Sequence, residues 1–232
     1  MCLFTEALLL PTAITSRPTG ISGIDWPLPR DGWSSNPITA VPAATATNSS
    51  LQIVPELVSR PGKDILEGVD ALVKAGIADP KHLAVGGYSY GGYMTNWLIT
   101  QTTRFNVAVT GASAVEHVAN WGNDDTTFDD AYFLGGLPWE AQQRYHDEAA
   151  IFQINKVRTP THIVAGANDI RVAVSQNYLL DHALHNLGVP STLLIFPGEG
   201  HSLSKNPWHG KIKVREELKW LQKYGGVTSK PE

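Results

Sequence analysis

The chain has 232 residues, 42% of them apolar, and a formal net charge of −4. That suffices for one domain with a full core, and without a basic block it offers no footprint for nucleic acid. The single cysteine, Cys2, excludes an intrachain disulfide and a cysteine metal cluster, and no apolar run is long enough to span a bilayer.

At the amino end, Ala7 to Leu10 is a short apolar stretch, but Glu6 stands where a secretory leader carries basic residues. A leader is therefore not expected, and a cytoplasmic setting is favoured. Asn48-Ser49-Ser50 is a glycosylation triplet that matters only in a secreted chain. Pro11, Pro18, Pro27, Pro29, Pro37, Pro42, Pro55 and Pro61 punctuate the first 61 residues, and Arg17 to Asn48 shows no sustained period. Residues 1–58 are expected to form an irregular Pro-rich segment ahead of an α/β domain over 59–232.

From about residue 62 helices and strands alternate. Lys63 to Ala75 puts Ile65, Val69, Leu72 and Val73 on one face and stops at Gly76. The apolar run His82 to Val85 then gives way to a helical pattern with Met94, Trp97 and Leu98. A strand follows at Asn106 to Thr110, then a long polar and aromatic segment, Ala112 to Phe133, that reads as irregular. Next come a helix (Trp139 to Ala149), a strand (Thr161 to Gly166) and a helix (Val172 to Leu187). A strand (Ser191 to Phe196) and a closing helix (Lys211 to Tyr224) complete the order. This alternation predicts a mostly parallel sheet with helices on both faces.

The most informative stretch is Gly86-Gly87-Tyr88-Ser89-Tyr90-Gly91-Gly92-Tyr93, which contains Gly-x-Ser-x-Gly where the strand becomes a helix. So sharp a turn puts its central residue at φ > 0, a strained position for a non-glycine. Glycines two residues to either side let strand and helix pass closely. Ser89 then projects its hydroxyl above the sheet, and the Tyr90 amide can face a developing oxyanion.

A serine hydroxyl is a weak nucleophile and needs a base, which a carboxylate must orient. Asp169 lies in the loop leaving the strand Thr161 to Gly166, and His201 follows the strand Ser191 to Phe196. Both therefore sit past the C-terminal end of a strand, on the edge that holds Ser89 and where open α/β sheets place ligands. Asp169 could alternatively be a turn residue capping the next helix. Among the competitors, His162 lies within a strand and reads as a satisfied core or face histidine. His182 and His185 are spaced i, i+3 on a helix but lack an evident third metal ligand, so they read as a solvated face. His117, His146 and His209 have no strand-end placement, and Asp124, Asp125, Asp129 and Asp130 precede the penultimate strand on its wrong side.

With these residues in place, the sequence resembles the catalytic domain of the prolyl oligopeptidase family of serine peptidases, in its dipeptidyl-peptidase and acylaminoacyl-peptidase branch. Besides Gly86 to Trp97, the resemblance is carried by Leu134-Gly135-Gly136-Leu137-Pro138-Trp139-Glu140 and Val157-Arg158-Thr159-Pro160-Thr161. Asp169-Ile170-Arg171-Val172 and Pro197-Gly198-Glu199-Gly200-His201 complete it. It runs from about Val54 to Tyr224 and implies an α/β-hydrolase fold and acyl transfer to water. Ser89 would be the nucleophile, His201 the base and Asp169 the orienter, with Tyr90 as an oxyanion donor. Neither a cofactor nor a metal is implied, since these groups suffice for acyl transfer. The expected partner is a peptide or small ester substrate, without nucleic acid or membrane; assembly into a homo-oligomer stays open.

In that family the region ahead of the Lys63 helix supplies early strands and a loop that gives a second oxyanion donor. No such loop is recognisable here. The early strands are expected to be missing or replaced, Met1 to Asn48 to be largely irregular, and any activity to be stronger on activated esters than on amides. Family members also carry an N-terminal β-propeller, which this chain is too short to contain. A truncated, non-catalytic remnant and a carboxylesterase of loose specificity remain alternative readings. Trp121, Phe128, Tyr132 and Phe133, between the Ser89 turn and the strand Thr161 to Gly166, either line a substrate pocket or pack a long loop onto the sheet. Arg171 reads as a salt-bridging surface group rather than a substrate clamp, and Glu116 and Glu140 as solvated rather than bound to a peptide amino terminus.

Overall fold

The computed structural model describes residues 54–226 and, ahead of them, the four-residue strand Ala7–Leu10. That strand, β1, is joined by β2 (Ala84–Tyr88), β3 (Val107–Gly111), β4 (Thr161–Gly166) and β5 (Ser191–Phe196) in one sheet of order β1-β2-β3-β4-β5. β2 to β5 run parallel, with Ala84 opposite Val107, Ala108 opposite Thr161 and Thr161 opposite Ser191. Their C-terminal ends therefore share one edge of the sheet.

β1 corrects one expectation. It pairs antiparallel with β2, from Ala7 opposite Gly87 to Leu10 opposite Ala84, so part of the amino-terminal segment does join the sheet. Without it the outer edge of β2 would present a row of unpaired N–H and C=O groups. The remaining irregular segment expected over Met1 to Asn48 lies outside the described residues.

Seven α-helices are described: α1 (Ser59–Lys74), α2 (Tyr90–Gln101), α3 (His117–Asn123), α4 (Thr127–Phe133), α5 (Gln142–Glu148), α6 (Val174–Asn186) and α7 (Pro207–Tyr224). A 3-10 turn, Ala150–Lys156, follows α5. α3 and α4 correct the irregular reading of Ala112 to Phe133; each is two turns long, too short for a hydrophobic period to register. α3 is started by Glu116, whose carboxylate accepts from Val118 N and Ala119 N at 2.8 and 2.6 Å. α1 begins four residues earlier than its apolar pattern, because Pro61 is tolerated in a first turn and Glu148 caps it from afar. One oxygen of that side chain accepts from Val58 N and Ser59 N at 2.7 and 2.8 Å.

The main core lies on one face of the sheet. There Val85, Ala108 and Ile163 pack with Met94, Leu98 and Ile99 of α2 and with Leu180 and Leu184 of α6. On the other face α7 brings Trp220 against Ala84 and Val107, while Val164, Phe196 and Leu203 gather beside Ile212. Helices thus cover both faces, as the alternating pattern predicts. Among the described residues no helix is long and apolar enough to cross a membrane.

Candidate active site

Ser89 stands between β2 and α2 with φ 58° and ψ −125°, the strained turn the sequence predicts. Its N–H donates to Gly111 O at 2.9 Å, and its own carbonyl accepts from Gly92 N and Tyr93 N at 2.8 and 3.1 Å. The flanking glycines are required by contact distance. A Cβ on Gly87 would fall 2.3 Å from Gly91 O, so no larger residue fits there without moving the helix away from the strand.

Asp169 follows β4, and its side chain is fully buried. Its two oxygens have separate partners. Oδ1 accepts from Arg171 N and Val172 N at 2.9 and 3.0 Å, while Oδ2 lies 2.8 Å from His201 Nδ1. The turn bonds and the contact with His201 thus coexist on one carboxylate. The other ring nitrogen of His201, Nε2, lies 2.8 Å from Ser89 Oγ. A carboxylate can only accept, so Nδ1 carries the proton and Nε2 is left to accept from the serine hydroxyl. The three predicted residues therefore form one chain of hydrogen bonds, and His201 bridges the other two.

The loops carrying the acid and the histidine are tied together. Asn168 N donates to Glu199 O at 2.8 Å, and Ala167 N donates to Phe196 O at 3.0 Å. Tyr90 opens α2, so its N–H has no acceptor within the helix; its hydroxyl donates to Leu57 O at 2.6 Å.

Several polar groups around this chain escape sequence reasoning. The Tyr88 hydroxyl donates to the His201 carbonyl at 2.6 Å, and the two rings lie 5.6 Å apart. Burial, and then the charges of Asp169, Glu217 and Glu199, raise the Tyr88 pKa, so it stays a hydroxyl donor. Glu199, with its side chain 1% exposed, accepts from Lys205 N, Asn206 N and His209 Nδ1 at 3.0, 2.8 and 2.7 Å. Burial works to raise its pKa, but the bonds from Lys205, His209 and Asn206 hold it below the usual carboxylate range. His209, without strand-end placement in the sequence, is thus bound to the carboxylate two residues before His201. Glu199's place in the Pro197 to His201 motif is the only sequence signal for it.

A second buried network sits against α2. His117 Nδ1 lies 3.3 Å from Asp130 Oδ1, Asn120 Nδ2 donates to Asp130 Oδ2 at 2.8 Å, and the Tyr93 hydroxyl donates to Asn120 Oδ1 at 3.0 Å. Burial alone would lower the His117 pKa, but the hydrogen bond and charge of Asp130 outweigh it and the net shift is upward.

The remaining candidates are dispersed. Trp121 and Phe133 pack against the main core, whereas Phe128 and Tyr132 are exposed on α4. Arg171 pairs with Asp125 at 2.7 Å, a salt bridge as expected. Glu140 accepts from Leu137 N at 3.0 Å. His185 faces Asp181 at 3.9 Å, and His146 stacks on Phe152. His162 is buried, but neither of its ring nitrogens has a hydrogen-bond partner. β4 turns it, with Val164, towards α7, where its ring lies 5.9 Å from that of Trp220.

Comparison with known proteins agrees with the fold. A family model described as the prolyl oligopeptidase family matches residues 55–228. The acylamino-acid-releasing enzyme of Arabidopsis thaliana is 32% identical over 185 residues, covering 75% of this chain and 24% of that protein. A probable dipeptidyl-peptidase 5 of Aspergillus clavatus is 31% identical over 153 residues, covering 64% of this chain and 21% of that protein. The uncomplexed acylaminoacyl peptidase of Pyrococcus horikoshii superposes with a TM-score of 0.73 at 23% identity, over 80% of this chain and 31% of that one. The chain thus spans about a quarter of the length of the curated relatives it matches. The fold is that of an α/β-hydrolase catalytic domain.

Proposed function

The chain belongs to the prolyl oligopeptidase family, and we propose that it is a serine-type hydrolase acting through Ser89, His201 and Asp169. The observation that carries this reading is His201, poised 2.8 Å from both Ser89 Oγ and Asp169 Oδ2. His201 Nε2 takes the hydroxyl proton as Ser89 Oγ attacks the substrate carbonyl carbon. Asp169 holds the ring in the tautomer that can accept that proton and stabilises the imidazolium that forms. The Tyr90 N–H supports the oxyanion of the tetrahedral intermediate. His201 then gives the proton to the departing amine or alkoxide, leaving an acyl group on Ser89. Water, deprotonated by the same imidazole, releases the acid and restores the serine.

The names of the relatives, an acylamino-acid-releasing enzyme and dipeptidyl-peptidases, support a substrate cleaved near the amino end of a peptide. Phe128 and Tyr132 are the most exposed of the four aromatic candidates. Small esters are the second substrate class. A second oxyanion donor supplied ahead of α1 would fall largely outside the described residues. Loss of one donor costs about 10²- to 10³-fold in rate, which activated esters tolerate better than amides.

The test is covalent labelling with a fluorophosphonate. The folded chain should be labelled and turn over p-nitrophenyl esters, and Ser89→Ala should abolish both. A folded wild-type chain that takes no label would sink the reading in favour of a non-catalytic remnant. Rates on matched peptide amides and esters then decide the substrate class.

A further inference from the structure

The histidine of the bonded chain is carried on a loop, and that loop is under backbone strain. Leu203, two residues past His201, has φ 50°, a conformation that is strained for a non-glycine and persists only where surrounding contacts over-determine it. Two side chains supply such contacts. Glu199 is buried and gathers Lys205 N, Asn206 N and His209 Nδ1 onto one carboxylate, closing the loop from its far side and fixing it to the start of α7. Tyr88 reaches from the end of β2, adjacent to Ser89, and donates to the carbonyl of His201 itself at 2.6 Å. The main chain of Glu199 adds a third tie, since its carbonyl accepts from Asn168 N, beside Asp169.

Resting on the proposed triad, we infer that Tyr88 and Glu199 are positioning residues that set the imidazole of His201 between Ser89 and Asp169. Neither side chain needs to touch the reacting atoms. Tyr88 ties the base to the strand that bears the nucleophile, so the separation of Ser89 from His201 is fixed by a bond to backbone. Glu199 holds the strained loop closed, so that His201 does not swing away when Leu203 relaxes. Displacement of a catalytic group by about 1 Å costs around a hundredfold in rate, because proton transfer demands hydrogen-bond distance in the transition state.

The experiment compares wild type with Tyr88→Phe, which removes one oxygen and keeps the ring, and with Glu199→Gln. Fluorophosphonate labelling rate, kcat and KM on a p-nitrophenyl ester, and thermal midpoint are measured for each. The proton on His201 Nδ1 is followed by NMR as a direct report on its bond to Asp169. Both variants should lose roughly ten- to a hundredfold in labelling rate and kcat, with KM within about twofold and a weakened Nδ1 proton signal. Unchanged kcat with a lowered thermal midpoint would reduce both residues to structural ties and overturn the inference, as would a loss confined to KM. Should Glu199→Gln fail to fold, Tyr88→Phe decides the question. An unlabelled wild type would overturn the nucleophile assignment, and this inference with it, whereas a labelled wild type with fully active variants overturns the inference alone.

Discussion

Asp169 shows how one side chain can be committed on two sides. Its Oδ1 accepts two amides of the following turn while Oδ2 faces His201. In Asp169→Asn the amide oxygen would stay with those two N–H donors, and the NH₂ group would then face Nδ1. That arrangement forces the proton onto Nε2, the tautomer that cannot accept from Ser89. On the proposed mechanism kcat should fall about 10⁴-fold with the thermal midpoint nearly unchanged, as steady-state kinetics and melting would show. A variant within tenfold of wild type would remove Asp169 from the mechanism. At His162, burial and then the charge of Lys213 push the pKa down to about 4, against about 6.5 for an unperturbed histidine. The folded chain binds this proton more weakly than the unfolded chain. The contribution to stability is therefore fully present above pH about 6.5 and is lost on acidification towards pH about 4, by roughly 3 kcal/mol. His117, whose pKa is raised, acts in the opposite sense, so the comparison must remove one histidine alone. Urea midpoints measured from pH 7 to 4.5 should fall less steeply for His162→Leu than for wild type; equal slopes would exclude His162 as the source.

At the scale of elements, what the sequence makes legible is what short-range pattern can encode. β4 and β5 each carry an apolar run, Ile163 to Ala165 and Leu193 to Phe196, and the sharp turn at Ser89 is announced by its glycines. The positions of Ser89, Asp169 and His201 were readable because each follows a strand in a fixed order. The elements that were misread depend on distant partners. The first turn of α1 is capped by Glu148, 90 residues away from Val58. The connection into α3 is held by Gln176, whose Oε1 accepts from Val115 N and Glu116 N at 2.9 and 3.0 Å. β1 is a strand because β2 offers it an edge, and four residues in isolation carry too little period to show it. Tyr88 and Glu199 were missed for a related reason. They act through bonds to main-chain groups, or to another side chain, and such bonds leave no residue-type signature at the receiving backbone position.

Across the whole molecule, Ser89 follows β2, Asp169 follows β4 and His201 follows β5, so their meeting point exists only when those strands hold their parallel register. A one-residue slip of a strand would turn its side chains to the opposite face and carry its loop off the site. The fluorophosphonate label is therefore a conformational counter: each labelled molecule is one in which strands distant in sequence have found their places. Across a urea titration, the fraction that can be labelled and the fraction of native ellipticity should fall on one curve when the sheet and its strand-end loops unfold together. Labelling that vanishes well before ellipticity would show instead that the strand-end loops melt as a separate, weaker unit. The same reagent that tests for a nucleophile would then score how completely any preparation of this chain has assembled, molecule by molecule.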